Sequence, residues 1–387
     1  MRNELNWLHI SDIHFCPGTE WRDSNIRSGL ISYLQGEFSR NDSLRPDLIF
    51  CTGDIANGES CSSSLRDQYV QAKIFFDELL NVCGRGGGSL PKDRLFIVPG
   101  NHDVNRESIN SDAQCTLTQW AKNSHAHSAG IEQRFNDRTK EFLEAVRRLD
   151  EYAQFVKEYV PHHLDNYGRH CYAKTVEIDG LKVGIAGFNS AWSCAGPEDD
   201  RAVWLAAEWQ FNTAKNELSQ SCVRIGLIHH PVDWLNVNDR DIATRRISTD
   251  FHFWLHGHSH NAWVAPTQNH INIAAGAVGA LASEEFGINL VHIDLTIGKG
   301  SVYLHQHKAG GAGWTIAPVE IHAPSGCWSV ELPRELCKTL APLSPATFAK
   351  SPSGRRIKPH EIDETSGKVR FIRLTSTSVY EDGRAVV

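Results

Sequence analysis

Short apolar runs alternate along this chain with stretches in which apolar residues recur every third or fourth position. The runs Leu5–Ile10, Asp47–Cys51, Arg94–Val98, Val223–Ile228 and Phe251–Leu255 have the length and bulk of buried strands. Helical spacing carries Ile26, Leu30, Leu34 and Phe38 through Ser24–Arg40, and Tyr69, Ala72, Phe76 and Leu79 through Leu65–Val82. Cys171–Ile178 and Lys182–Phe188 flank Asp179-Gly180 as a hairpin. Ile288–Leu295 and Ser301–His307 flank Gly298-Lys299-Gly300 as another. His305 and His307 alternate on that last strand and read as one exposed face. Strand and helix in alternation predict an α/β fold.

Val104–Gly168 interrupts this order as an insertion. Its second half is helical, with Ile131, Phe135, Phe142, Val146, Leu149, Ala153, Val156 and Val160 in three-and-four rhythm. It reads either as a buttress against the sheet or as a cap over a site. Arg134, Arg138, Arg147 and Arg148 interleave with Glu132, Asp137, Glu141 and Glu144, which is the pattern of a solvated helix face, not of a nucleic-acid track. The glycines of Gly84–Gly88 lack the lysine and hydroxyl residue of a phosphate loop and read as a surface connection.

Candidate chemistry gathers where the apolar runs end. Asp12-Ile13-His14, Gly53-Asp54, Gly100-Asn101-His102-Asp103, His229-His230-Pro231 and Gly257-His258-Ser259-His260 each follow a predicted strand. Asp12 and His14 alternate, so an extended chain points both to one side. Taken singly, each segment has a plain structural reading, an aspartate as turn former or a histidine at a strand end. Together they supply two aspartates, an asparagine and several histidines, the donor set of two divalent cations. Open α/β sheets place their sites at such strand ends. No cysteine occurs in the five segments, which favours manganese, iron, nickel or catalytic zinc over a structural zinc. Asn189 lies near a strand end as well and reads as a turn former.

The order of these segments, and the stretch His9-Ile10-Ser11-Asp12-Ile13-His14 in particular, resembles the calcineurin-like metallophosphoesterases over roughly residues 5–305. The resemblance implies a four-layer αββα sandwich in residues 1–308, with 104–168 as the helical insertion and 309–387 as a C-terminal appendage or linker. It implies Asp12, His14, Asp54 and His260 on one metal. Asp54 bridges to a second that Asn101, His229 and His258 complete, and His102 acts on the leaving group. His230 is the competing candidate at the fourth segment. Two cations held about 3.5–4 Å apart share a hydroxide that attacks phosphorus in line. Asp54 is followed by Ile55-Ala56-Asn57-Gly58, unlike the protein phosphatases. The motif style instead resembles the bacterial cyclic-nucleotide phosphodiesterases, which implies a small phosphodiester or nucleotide substrate and Mn2+ as the first choice of metal.

Composition changes this picture little. A net charge of -7 over 387 residues gives no general attraction to nucleic acid, so a DNA or RNA nuclease is the weaker enzyme alternative. A signalling or defence component that recruits a protein partner through 309–387 is the alternative of another class. The ten cysteines show no C-x-x-C pair, and Cys51 and Cys222 sit inside apolar runs, as reduced thiols do. No leader precedes the first motif and no apolar run reaches about eighteen residues, so a cytoplasmic protein without membrane contact is expected.

Overall fold

The computed structural model describes residues 3–15, 20–60, 63–163, 170–196, 202–279, 285–308, 313–336, 372–374, 379–381 and 384–386. Two sheets meet face to face with helices outside them. The first has the order β12-β11-β10-β1-β2-β3, with β13 also paired to β11. Its strands are β1 (Glu4–Ile10), β2 (Leu48–Cys51), β3 (Leu95–Ile97), β10 (Glu285–Asp294), β11 (Lys299–Lys308), β12 (Trp314–Ile316) and β13 (Cys327–Glu331). The second has the order β4-β5-β6-β7-β9-β8. It contains β4 (Tyr172–Ile178), β5 (Leu181–Gly187), β6 (Val223–Leu227), β7 (Phe253–His256), β8 (Trp263–Pro266) and β9 (Ile271–Ala274). The chemistry-bearing strands β1, β2 and β3 run parallel, as do β6 and β7, so their carboxyl ends lie side by side.

Alternation along β1 explains the layering. Leu8 and Ile10 share a buried cluster with Ile26, Leu30, Leu34 and Phe38 of α1 (Glu20–Arg40). Trp7 points the other way and meets Phe253 of β7 edge-on at 5.0 Å, closing the two sheets on each other. The helix α2 (Leu65–Cys83) buries Tyr69, Ala72, Phe76 and Leu79 as the spacing predicts, and Ser64 caps its first turn by accepting from Asp67 N. Asp179 (φ 49°) and Gly180 (φ 86°) both take the left-handed conformation that a two-residue hairpin of this hand requires.

The insertion folds as α3 (Ser111–Asn136), α4 (Lys140–Val146) and α5 (Asp150–Tyr159). The last of these buttresses α2, with Phe155 stacked on Tyr69 at 4.7 Å and Tyr159 on Phe76 at 6.2 Å. The arginines do not share one fate. Arg148 is buried and donates to the carbonyls of Ala145 and Cys194 and to Gln114 Oε1.

The first compact unit runs Met1–Thr339, beyond residue 308, because β12 and β13 add to the outer edge of β11. The second unit, Leu340–Val387, holds the antiparallel meander β14 (Ile372–Leu374), β15 (Val379–Glu381) and β16 (Arg384–Val386). His305 is buried, not exposed, with its Nδ1 hydrogen-bonded to Tyr33 Oη at 2.8 Å, because α1 covers that face of β11. Two helices went unread, α6 (Ala207–Leu218) and α7 (Val237–Asp250), which cover the second sheet. No helix among the described residues is long and apolar enough to cross a membrane.

Candidate metal centre

The five segments converge where the carboxyl ends of β1, β2 and β3 face those of β6 and β7. Asp12 and His14 do not leave β1 by extended alternation. Both are left-handed, at φ 53° and 49°, and so are Asp54, His258 and His260. Nine non-glycine residues among those described have positive φ, and five of them are candidate ligands. Such conformations cost about 1–3 kcal/mol each and persist where the surroundings enforce them, which is commonly at functional sites. The loops also press close together. Gly53 has φ 96°, and a Cβ on Gly100 would lie 2.1 Å from Asp54 Oδ1.

Each aspartate divides its two oxygens between two tasks. Asp54 Oδ1 accepts from His102 N at 2.8 Å, and Asp12 Oδ2 accepts from His258 N at 3.0 Å. Each of these bonds ties one motif loop to another. The remaining oxygens turn inward. Asp12 Oδ1 lies 3.3 Å from His260 Nε2 and 3.8 Å from His14 Nε2. Asp54 Oδ2 lies 3.2 Å from His229 Nε2 and 3.7 Å from His14 Nε2. His229 Nε2 is also 3.1 Å from Asn101 Oδ1 and 3.2 Å from His258 Nδ1. All seven candidate ligands are therefore gathered in one place.

These spacings suit ligands of shared cations, which stand about 3–3.4 Å apart around an ion at about 2.1 Å. Two further observations test that fit. Asp12 Oδ1 and His14 Nε2 are buried without a hydrogen-bond partner, a state that is costly unless a cation satisfies both. His229 Nδ1 donates to the Thr52 carbonyl at 2.7 Å, so the Nε2 lone pair of neutral His229 faces the oxygens of Asp54 and Asn101. A lone pair against two oxygens is repulsive. A positive charge, proton or metal ion, has to sit between them.

The electrostatics agree. Burial opposes charge on His229, yet Asp54 beside it holds the imidazole up at about 9. Burial likewise opposes charge on His14, and Asp12 and Asp54 outweigh it in the upward direction. Asp12 and Asp54 are held below the usual carboxylate range against their burial, Asp12 chiefly by His14 and His260 and Asp54 chiefly by His229 and His102. Donor atoms of Asp12, His14 and His260, of Asp12, Asp54 and His229, and of His229, His230 and His258 each lie within 4.8 Å of one another.

His102 stands beside this set, its ring 4.7 Å from that of His14 and its Nδ1 3.2 Å from the Asn57 carbonyl. Burial lowers its pKa. His230 is held differently from His229, with Nδ1 2.7 Å from Ser190 Oγ. Asn189 serves its turn, accepting from Ala191 N and Trp192 N. Sequence reasoning passed over Asp103. Its buried carboxylate accepts from Gly100 N, Ile55 N, Ala56 N and Tyr69 Oη, and so fixes the loop of Asn101 and His102 to that of Asp54. An acidic residue inside a motif and next to two candidate site residues was the available signal.

The family model described as calcineurin-like phosphoesterase matches residues 5–262. No curated protein sequence matches the chain. Among solved structures, GAP50, the anchor in the inner membrane complex of Plasmodium, is 12% identical with a TM-score of 0.41, covering 82% of this chain and 91% of its own. Vps29 of Entamoeba histolytica complexed with Zn2+ is 11% identical with a TM-score of 0.33, covering 84% and 99%. Vacuolar protein sorting 29 of Cryptosporidium parvum is 12% identical with a TM-score of 0.33, covering 85% and 100%. The family match spans all five motifs and the strands β1, β2, β3, β6 and β7 that lead into them. This chain belongs to the calcineurin-like phosphoesterase family, and metal-dependent phosphoester hydrolysis is the chemistry that membership supports.

Proposed function

We propose that the chain is a two-metal phosphodiesterase acting on small phosphodiesters, cyclic mononucleotides among them. The position of Asp54 Oδ2 carries this reading, because one carboxylate oxygen faces both His229 Nε2 and His14 Nε2. Asp12, His14, Asp54 and His260 hold one cation, and Asp54, Asn101, His229 and His258 the other. Mn2+ is the expected ion, with Fe, Ni and Zn as alternatives. When bound, the pair supplies Lewis acidity toward the phosphate and a nucleophile available near neutral pH. Asp12 and Asp54 keep their inward oxygens in place through the outward bonds to His258 N and His102 N. His102 in its imidazolium form donates from Nε2 to the departing oxygen, while the Asn57 carbonyl holds its Nδ1–H. A net charge of -7 and the interleaved charges of the insertion favour a small substrate over a polyanion.

Protein stripped with a chelator should lose turnover of an aryl phosphodiester and regain it with Mn2+. On a panel of cyclic nucleotides, dinucleotides, RNA and DNA, the small diesters should show the higher kcat/KM. Fast, salt-sensitive cleavage of RNA or DNA without turnover of small diesters would make it a nuclease. Inertness of folded, metal-loaded protein toward every diester and monoester would end the enzyme reading.

A further inference from the structure

The polar centre has an aromatic neighbour that phosphate chemistry does not require. Trp234 follows His230-Pro231 in a short turn, and its ring lies 4.1 Å from that of His258 at 79° and 6.4 Å from that of His230. Its backbone is pinned on both sides, since Trp234 N donates to the Pro231 carbonyl at 3.0 Å and Val203 N donates to the Trp234 carbonyl at 3.1 Å. Asn236 N donates to the Val203 carbonyl in turn, at 2.9 Å. Trp192 and Trp204, which meet each other at 4.8 Å, are both fully buried and belong to the core. Trp234 is only half-buried.

Exposure also shows which side of the centre is open. Asp12, Asp54 and His229 are buried, whereas Asn101, His102, His258 and His260 are partly accessible. A substrate enters from the side of that second group, and Trp234 stands against His258, one of its members. We propose that Trp234 is a specificity-determining residue, a wall that takes the aromatic group of the substrate, nucleobase or aryl ring, while its phosphate sits at the centre. This rests on the phosphodiesterase reading above. An indole is large and rigid, and every base offers it a π-face, so stacking selects for aromatic substrates without selecting among bases. A metal pair recognises the phosphate alone and leaves that selection to such a neighbour.

The test compares wild-type Mn2+-loaded protein with Trp234→Ala, Trp234→Phe and Trp234→Leu on two substrates, an aryl or cyclic-nucleotide diester and a glycerol-based diester with no aromatic group. Trp234→Ala should raise KM for the aromatic diester about ten- to a hundredfold. KM for the alkyl diester should hold, as should two bound metals per chain. Trp234→Phe should restore most of the loss, and Trp234→Leu, which keeps bulk without a π-face, should not. Equal KM increases on both substrates, or loss of a metal, would reduce Trp234 to a prop for His258 and overturn the proposal. Wild-type protein that cleaves the alkyl diester as well as the aromatic one would overturn it too. Wild-type protein inert toward both would remove the phosphodiesterase reading and this proposal with it.

Discussion

Buried histidines face opposite demands in two regions of this molecule. At the meeting point of the sheets, Asp54 holds His229 up at about 9 against its burial. Behind the first sheet, where α1 covers β11, burial pushes His305 down to about 4. The residue type is the same and so is the burial. The difference is two carboxylates, Asp12 and Asp54, whose inward oxygens leave the first region short of positive charge. His305 in its core tolerates only the neutral form, whereas His229 and His14, facing those inward oxygens, need a cation as their neighbour.

The largest effect should come from removing the carboxylate that faces both sets of imidazoles. Asp54→Ala should release both metals, seen by elemental analysis, and lower turnover on the order of 10⁴-fold or more. Full metal content in that variant would break the contrast at its centre. His102→Ala should keep both metals and lose about 10²–10⁴-fold in kcat, since it is expected to move a proton and not to hold a cation. Metal loss there would transfer it to the ligand set.

The other region is tested by acid. His305 titrates at about 4 in the fold and near its ordinary 6.5 when unfolded. As pH falls below 6.5 the unfolded chain takes up the proton first, so stability is lost progressively down to pH 4, by about 3 kcal/mol from this residue. His305→Asn keeps a hydrogen-bonding group for Tyr33 Oη and should flatten the dependence of unfolding free energy on pH over that window, measured by urea denaturation. An unchanged slope would show that His305 charges without cost. The smallest effect is expected beneath the centre. Tyr69→Phe removes one of four donors to Asp103 and should cost about 1–2 kcal/mol in thermal unfolding while metal content holds.

The contrast also explains what could be read in advance. Strand-end polar residues in a fixed order disclosed the centre, because its chemistry requires those residue types wherever the fold places them. The strands beneath were legible as dense apolar runs. Alternation on β11 suggests an exposed face for His305, whereas its burial depends on α1 lying across that strand, which no local pattern announces. The helix α7 was missed for a local reason. Its polar sequence buries only Asp239, Ala243 and Ile247, too few to set up a period. The strands β12 and β13 are three and five residues long, and their membership in the first sheet depends on pairing with β11, which no local pattern encodes. Trp234 had no signal at all, since its contact with His258 joins two strand ends.

The left-handed backbone at Asp12, His14, Asp54, His258 and His260 has a consequence for anyone who would toughen this protein. Glycine accepts that conformation freely, so replacing one of these residues with glycine, Asp54→Gly for instance, relieves strain in the metal-free chain even as it removes a donor. A library screened for survival of heating in the presence of chelator should therefore enrich inactive variants at these five positions, and only screening with metal present would hold them in place.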